Sequence, residues 1–473
     1  MASFALFGSS TGVRTLNNGE SGFIAQNGVL GTDTTAITAA LGSVDITVLG
    51  SVNSATGRAI SFSGTTLDLQ IGQNGSIGAQ KDDTIKANFS SSVYVSNAGY
   101  LYSGSDAIDL RESDGAGSII IDNTGTISGK SDAIVTDSGT ETTRITNTGE
   151  IVGGSGGIDH ISGDATIINY GSIIGKFYAY DGASGIDTVK NFGTIDGGVK
   201  VRDGDDIVTN RGTLDFVELG DGTDVFDGRG GIVTEYVAGG LGDDTYIVSA
   251  SDISLVELAD EGIDLVKSNV SFTLGDNIEN LTLIGNSNIR GTGNALNNVV
   301  FGNDEDNILR GLTGADTLNG GGGNDILRGG RAGDKLIGDF GDDTLRGGVG
   351  NDDLAGGAGD DILIGGAGKD KLNGGTGSDM FVFNRAPHSP NSSARDVIQD
   401  FELGIDRIDL SDLVAGTLSF VGTSGFSGTG AEVNAVITGG NTTVRIDVDG
   451  DGAADMKIIL AGVTGIQDGD FIL

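Results

Sequence analysis

Between Gly302 and Val382 the chain places one large apolar side chain every nine residues: Leu309, Leu318, Leu327, Leu336, Leu345, Leu354, Leu363, Leu372 and Phe381. Each sits near the end of a block such as GGAGDDILI (356–364), and the nine blocks run without an insertion. The last three residues of a block read as a very short strand, whose middle side chain points away from the face of its neighbours. This predicts a ladder of inward-facing leucines. Two blocks make one coil of two strands and two turns. The first position is always Gly, which permits positive φ and close backbone approach in a tight turn. The sixth is Asp in eight of nine blocks, Asn307 being the exception.

A looser pattern occupies the first half. QNGSI (73–77), NAGYL (97–101), NTGTI (123–127), NTGEI (147–151), NYGSI (169–173), NFGTI (191–195) and NRGTL (210–214) follow at spacings of 24, 26, 24, 22, 22 and 19. A second marker interleaves: TAI (35–37), RAI (58–60), DAI (106–108 and 132–134), GGI (156–158) and SGI (184–186). Short β-rich runs at this period, punctuated by Asn and Gly, predict a parallel β-solenoid. Asn tolerates left-handed turns and can stack its side chain in a ladder.

Composition sharpens this. Gly supplies 85 of 473 residues, against a usual share of about 7%. Pro occurs only twice, unlike a disordered low-complexity chain. Asp and Glu number 66 against 27 Lys and Arg, for a net charge of −39. Such a surface repels nucleic-acid phosphates and anionic membranes, so no nucleic-acid partner and no membrane insertion are expected. It invites cations. There is no Cys, so a secreted form needs a staple other than disulfides. No run approaches the roughly 20 apolar residues of a membrane span. The start, MASFALFGSSTGVRTLNNGE, has no basic patch before an apolar run, so no classical signal peptide is expected.

The aspartates supply the candidate chemistry. Coils stacked at the strand spacing of about 4.8 Å set Asp343 beside Asp361. Like charges so close repel unless a cation lies between them. Carboxylates with turn carbonyls make an all-oxygen donor set, which suits Ca2+. The candidate ligands are Asp316, Asp325, Asp334, Asp343, Asp352, Asp361, Asp370 and Asp379. Upstream, GIDTV (185–189), GDDIV (204–208), GTDVF (222–226) and GDDTY (242–246) place Asp187, Asp206, Asp224 and Asp244 at spacings of 19, 18 and 20, as transitional calcium turns.

The nine-residue blocks resemble the GGxGxDxUx repeat of the repeats-in-toxin (RTX) family, where U is large and apolar. Glu305 and Ala332 replace the second turn glycine in two blocks. GGLGDDTYIV (239–248) resembles a lone repeat, and the stretch after it a spacer module of the family. RDVIQDFELGIDRIDLSDL (395–413) is similar to the segment after the repeats in serralysin-type C-terminal domains. The first half resembles the β-helix of autotransporter passenger domains. DVDGDGAAD (447–455), with Asp447, Asp449, Asp451 and Asp455, resembles the first part of an EF-hand loop. Its twelfth position is Ile458 rather than Glu, so it reads either as a metal site or as a solvated turn. The final DFIL resembles an uncleaved type I export signal. The resemblance implies export by type I secretion machinery, calcium-triggered folding outside the cell, and an extracellular or cell-surface location.

The expected fold is all-β: a right-handed parallel β-helix (1–230), a transitional spacer module (231–300), a calcium-binding parallel β-roll (301–383), and a small β-rich C-terminal cap and secretion region (384–473). Of the two histidines, His160 and His388, neither is paired, and there is no HExxH. This excludes a serralysin-like protease, and lone histidines read as structural. In GKFYAYDGASG (175–185), Lys176, Phe177, Tyr178 and Tyr180 either stack on sugars or pack on a solenoid flank. With no catalytic constellation, the expectation is a non-enzymatic calcium-stabilised protein: an S-layer, extracellular filament or adhesin that self-associates or holds a cell-surface polysaccharide. The alternative is a polysaccharide-modifying β-helix enzyme, a lyase or epimerase.

Overall fold

The computed structural model describes residues 3–40, 42–111, 117–137, 139, 142–385, 389 and 395–473. His388 lies outside them. Two compact units form, one from 1–247 with 252–262, the other from 248–251 with 263–473. Both are parallel β-solenoids, built differently.

In the first unit a coil has three short strands. Ser118–Asn123, Thr126–Gly129 and Ile134–Thr136 make one coil, and Thr142–Asn147, Glu150–Gly153 and Gly156–His160 pair with them in parallel as the next. Identical positions stack, so each face contributes one apolar column. Ile127, Ile151, Ile173, Ile195 and Leu214 form one such column, all fully buried.

The Asn markers form a ladder. Asn97 donates from Nδ2 to Oδ1 of Asn123 (2.8 Å), and the chain of bonds continues through Asn147, Asn169, Asn191 and Asn210 at 2.8–2.9 Å. Each amide both donates and accepts, so the buried column is internally satisfied. The QNGSI copy does not join, because Ile71 stands opposite Asn97. The second marker slips once. Ile158 pairs with Tyr180, not with Ile186 of SGI, which is exposed. Tyr180 fills the inward position, and its hydroxyl donates to Asp187 at 2.7 Å.

In the second unit a repeat coil has two strands, such as Ile326–Arg331 and Lys335–Phe340. The leucine ladder forms as two columns, Leu309–Leu327–Leu345–Leu363–Phe381 and Leu318–Leu336–Leu354–Leu372, all at 0% exposure. Full burial of each Leu is worth about 1.5–3 kcal/mol. The turns need left-handed backbone, and the non-glycine substitutes adopt it as well: Leu312 has φ 84°, Ala332 75° and Asp339 74°.

The C-terminal segment is a β-rich cap. Glu432–Thr438, Asn441–Asp447 and Met456–Leu460 form an antiparallel meander. Met456–Leu460 pairs with Val397–Ile398, and Phe471–Ile472 pairs with Ile408–Asp409. The cap therefore closes both strand columns of its unit. The DFIL tail is part of this closure, with Asp470 and Phe471 buried.

Candidate functional site

The repeat turns explain why Gly and Asp recur. The backbone N–H of each sixth-position Asp donates to Oδ1 of the Asp one coil later. On one side Asp325 donates to Asp343 (2.7 Å), Asp343 to Asp361 (2.8 Å) and Asp361 to Asp379 (3.0 Å). On the other, Asp316 donates to Asp334 (2.9 Å), Asp334 to Asp352 (2.8 Å) and Asp352 to Asp370 (2.9 Å). The other oxygen, Oδ2, is buried with no hydrogen-bond partner at Asp316, Asp325, Asp334, Asp343, Asp352, Asp361 and Asp370. It lies over the first-position Gly: a Cβ on Gly338 would stand 2.2 Å from Oδ2 of Asp343, and one on Gly356 2.3 Å from that of Asp361. Any side chain there evicts the carboxylate.

A buried carboxylate oxygen without a partner is costly. Burial pushes the pKa values up, to about 6 at Asp316, Asp334, Asp343, Asp361 and Asp370 and about 7 at Asp325, Asp352 and Asp379. Proton or metal must satisfy such a column at neutral pH. The turns also stack closely: a Cβ on Gly348 would meet the Gly330 carbonyl at 2.3 Å. Orphaned carboxylate oxygens beside stacked turn backbone fit a hard, oxygen-seeking cation such as Ca2+. Calcium would supply the positive charge that the column lacks.

Two ladder members escaped the repeat pattern. Asp370 donates its amide to Asp396 (2.8 Å) and Asp379 to Asp406 (3.0 Å), continuing each column beyond the last block. Burial raises Asp396 to about 8. A further, exposed ladder uses the fifth position: Asn324 donates to Asp306, Asp342 to Asn324 and Asp360 to Asp342, at 2.8–3.0 Å. Its sequence signal is the Asn or Asp that recurs immediately before the sixth-position Asp.

Asp206, Asp224 and Asp244 are buried in three-stranded coils of the first unit. Asp187 donates its amide to Asp206 (2.6 Å), Asp206 to Asp224 (2.7 Å) and Asp224 to Asp244 (2.8 Å). Oδ2 of Asp206 and Asp224 has no partner, and burial raises these groups to about 8 and about 6. Asp187 is instead closed by Tyr180 and the Ala165 amide.

In the EF-hand-like loop, ligand atoms of Asp447, Asp449 and Asp455 lie within 4.8 Å of one another, and Asp451 stands outside the group. The same carboxylates cap the loop's own amides: Asp447 accepts from Gly450 and Gly452 (both 2.8 Å), and Asp455 accepts from Val448 (2.8 Å). Ile458 is fully buried in the cap strand.

The flank of the first unit carries a different site. Asp159 and Asp181 stand opposite each other on neighbouring strands, Gly156–His160 and Tyr178–Asp181. Asp159 lines two hollows, of about 380 and about 130 Å³. Asp132, Phe177 and Tyr178 line the smaller, and Arg202 and Asp203 the larger. Arg202 forks onto Asp181 at 2.8 and 2.9 Å. Burial first, then the charges of Asp181 and Asp132, raise Asp159 to about 6. The 176–180 stretch is split by the fold: Tyr180 is core, Phe177 is 61% exposed, and Lys176 stands over the Phe177 ring at 5.2 Å. His160 is buried and hydrogen-bonded through both nitrogens, to Thr136 (2.8 Å) and the Gly163 carbonyl (3.0 Å), and burial lowers its pKa. It is structural.

Comparison with known proteins gives a curated relative, the endo-1,3-1,4-beta-glycanase ExsH of Rhizobium meliloti (strain 1021), 38% identical over 80 residues. The match spans 17% of this chain and 15% of that protein's length. Two solution structures, the AlgE6R3 and AlgE6R2 subunits of the Azotobacter vinelandii mannuronan C5-epimerase, align at 30% and 24% identity. They cover 36% of this chain and 78% and 90% of their own, with TM-scores of 0.18 and 0.19. The expectation of a non-enzymatic chain does not stand, because the matched relative is a glycanase. A search for paired histidines and known motifs passes over the two carboxylates that the coil geometry brings together. The family model of the peptidase M10 serralysin C-terminal domain matches residues 101–473, and with its RTX-type calcium-turn repeats the chain belongs to that family.

Proposed function

We propose that this protein is exported by type I secretion machinery, folds outside the cell on binding calcium, and there presents the flank of its first unit to a polysaccharide. The observation that carries the folding half is the column of buried Oδ2 atoms without partners in the repeat turns. Extracellular calcium sites bind at roughly 10⁻⁴–10⁻³ M, so the repeats stay unloaded in a cytoplasm and fold on exit. The tail supports this order of events, since in the folded state Phe471–Ile472 is occupied in closing the second unit. The glycanase relative and the flank groove support the polysaccharide half. Circular dichroism of the full chain in 1 mM calcium and in excess chelator tests the folding. A large loss of β-signal on chelation is expected, and an unchanged spectrum contradicts the proposal.

A further inference from the structure

The Asp159–Asp181 groove has a composition that selects among polysaccharides. Three of its cations are committed, while Lys176 stands over the rim ring of Phe177 with no ion pair among the described residues. Arg202 is bonded to Asp181, and beside it Lys200 is paired with Glu218 at 3.1 Å. Arg111, one of the charges felt by Asp159, is bonded to Asp106 and Asp109. The carboxylates of Asp132, Asp159 and Asp181 remain, on a chain of net charge −39. A polyuronate would bring further negative charge to three carboxylates, with Lys176 at the rim as the unpaired cation among the described residues. A neutral glycan meets no such penalty. Its hydroxyls suit carboxylate acceptors, and its apolar sugar faces suit exposed aromatic rings. Phe177 supplies such a ring at the rim. Tyr178 meets Phe216 edge to face and Phe216 stacks on Tyr236, with ring centroids 5.8 and 5.4 Å apart.

We propose that this groove binds a neutral polysaccharide and hydrolyses it, with Asp159 as the proton donor and Asp181 as the nucleophile. The proposal rests on the polysaccharide-facing reading above. The two residues stand side by side on neighbouring strands and have unlike surroundings, which is how a closely spaced carboxyl pair divides acid and nucleophile roles. Asp159 lies at the junction of both hollows with no cation bonded to it among the described contacts, and its raised pKa keeps part of it protonated near neutrality. Asp181 accepts the guanidinium of Arg202 through both oxygens, which holds it as a carboxylate with lone pairs left to attack C1. In the reaction Asp159 gives its proton to the glycosidic oxygen as the C1–O bond breaks and the electron pair leaves with that oxygen. A carboxylate oxygen of Asp181 attacks C1 to form a glycosyl ester; water then attacks C1, releases Asp181, and gives its proton to Asp159. One water is added across the bond.

The test uses the full calcium-loaded chain, with a soluble mixed-linkage β-glucan as the neutral probe and alginate as the acidic one. Binding is measured by calorimetry and cleavage by new reducing ends. The account expects β-glucan to bind, alginate to bind at least 10-fold more weakly, and β-glucan to be cut. Asp159→Asn should lower the cutting rate at least 100-fold while changing affinity less than threefold. Phe177→Ala, at an exposed rim position that folding does not need, should weaken binding about 10-fold. Preference for alginate, or β-glucan binding and cutting that both variants leave intact, overturns this inference alone. Binding without cutting overturns the hydrolytic assignment. If neither polysaccharide binds, the polysaccharide-facing reading falls with it.

Discussion

The two units solve one problem in two ways. Each stacks coils so that the same turn position recurs in a buried column. In the first unit much of that column is Asn, and in the second it is Asp. The side chains are nearly the same size, and only the amide carries donors. Asn147 donates to Asn169 at 2.9 Å and accepts from Asn123 at 2.8 Å, so each rung satisfies the next. Asp343 accepts from the Asp325 amide and has nothing to donate, so its Oδ2 is stranded. A neutral ladder is complete in itself. An acidic ladder is complete only with a cation or a proton, and on the calcium reading proposed above the second unit's fold is conditional on the metal.

The sharpest way to break the contrast is to move the acid into the neutral ladder. Asn147→Asp sets a carboxylate against Oδ1 of Asn169 and the carbonyls of Gly149 and Ser172, all of which Asn147 now reaches as a donor. A buried charge without a partner costs about 3–5 kcal/mol. Chemical denaturation of the first unit should show a loss of that order. A loss below about 1 kcal/mol would mean that the column is not sealed from water.

The pH dependence of the metal-free second unit follows from the repeat aspartates. Their folded pKa values lie at about 6 to 7, above the ordinary carboxylate value of 3.8. For an acid raised by folding, the folded state is favoured when the group is protonated. The penalty is therefore absent below about pH 4 and grows as the pH rises through 6 to 7. In chelator, circular dichroism should show more β-structure at pH 4.5 than at pH 8. In calcium the direction reverses, because protons compete for the same oxygens. More order at pH 8 than at pH 4.5 in chelator contradicts the burial argument.

The smallest expected effect concerns turn geometry. Ala332 holds φ at 75° where most repeats use Gly. A left-handed non-glycine residue costs about 1–2 kcal/mol. Ala332→Gly should stabilise the calcium-loaded second unit by about 1 kcal/mol, read from its denaturation midpoint. A destabilisation would mean that the turn tolerates Ala without strain.

The leucine ladder and its acidic turns were legible because an unbroken nine-residue period fixes both which side chain points inward and which turn position recurs. What lay outside a fixed period was not. Asp396 joins the ladder 26 residues after Asp370, across a coil that the repeat does not describe. The first-unit coils vary in length, so the SGI marker put Ile186 in a position that Tyr180 holds. The same variation hides the groove: Asp159 and Asp181 lie 22 residues apart in unrelated contexts, GGIDH and AYDGA, and only the coil register makes them neighbours.

Hydrogen exchange read by mass spectrometry, peptide by peptide, in calcium and in chelator, addresses the conditional fold most directly. The account predicts that amides within 302–382 are protected in calcium and exchange freely in chelator, while those within 118–175, ahead of the first unit's own acidic ladder, stay protected in both. Equal protection of the two segments in chelator, or their joint loss, would contradict it.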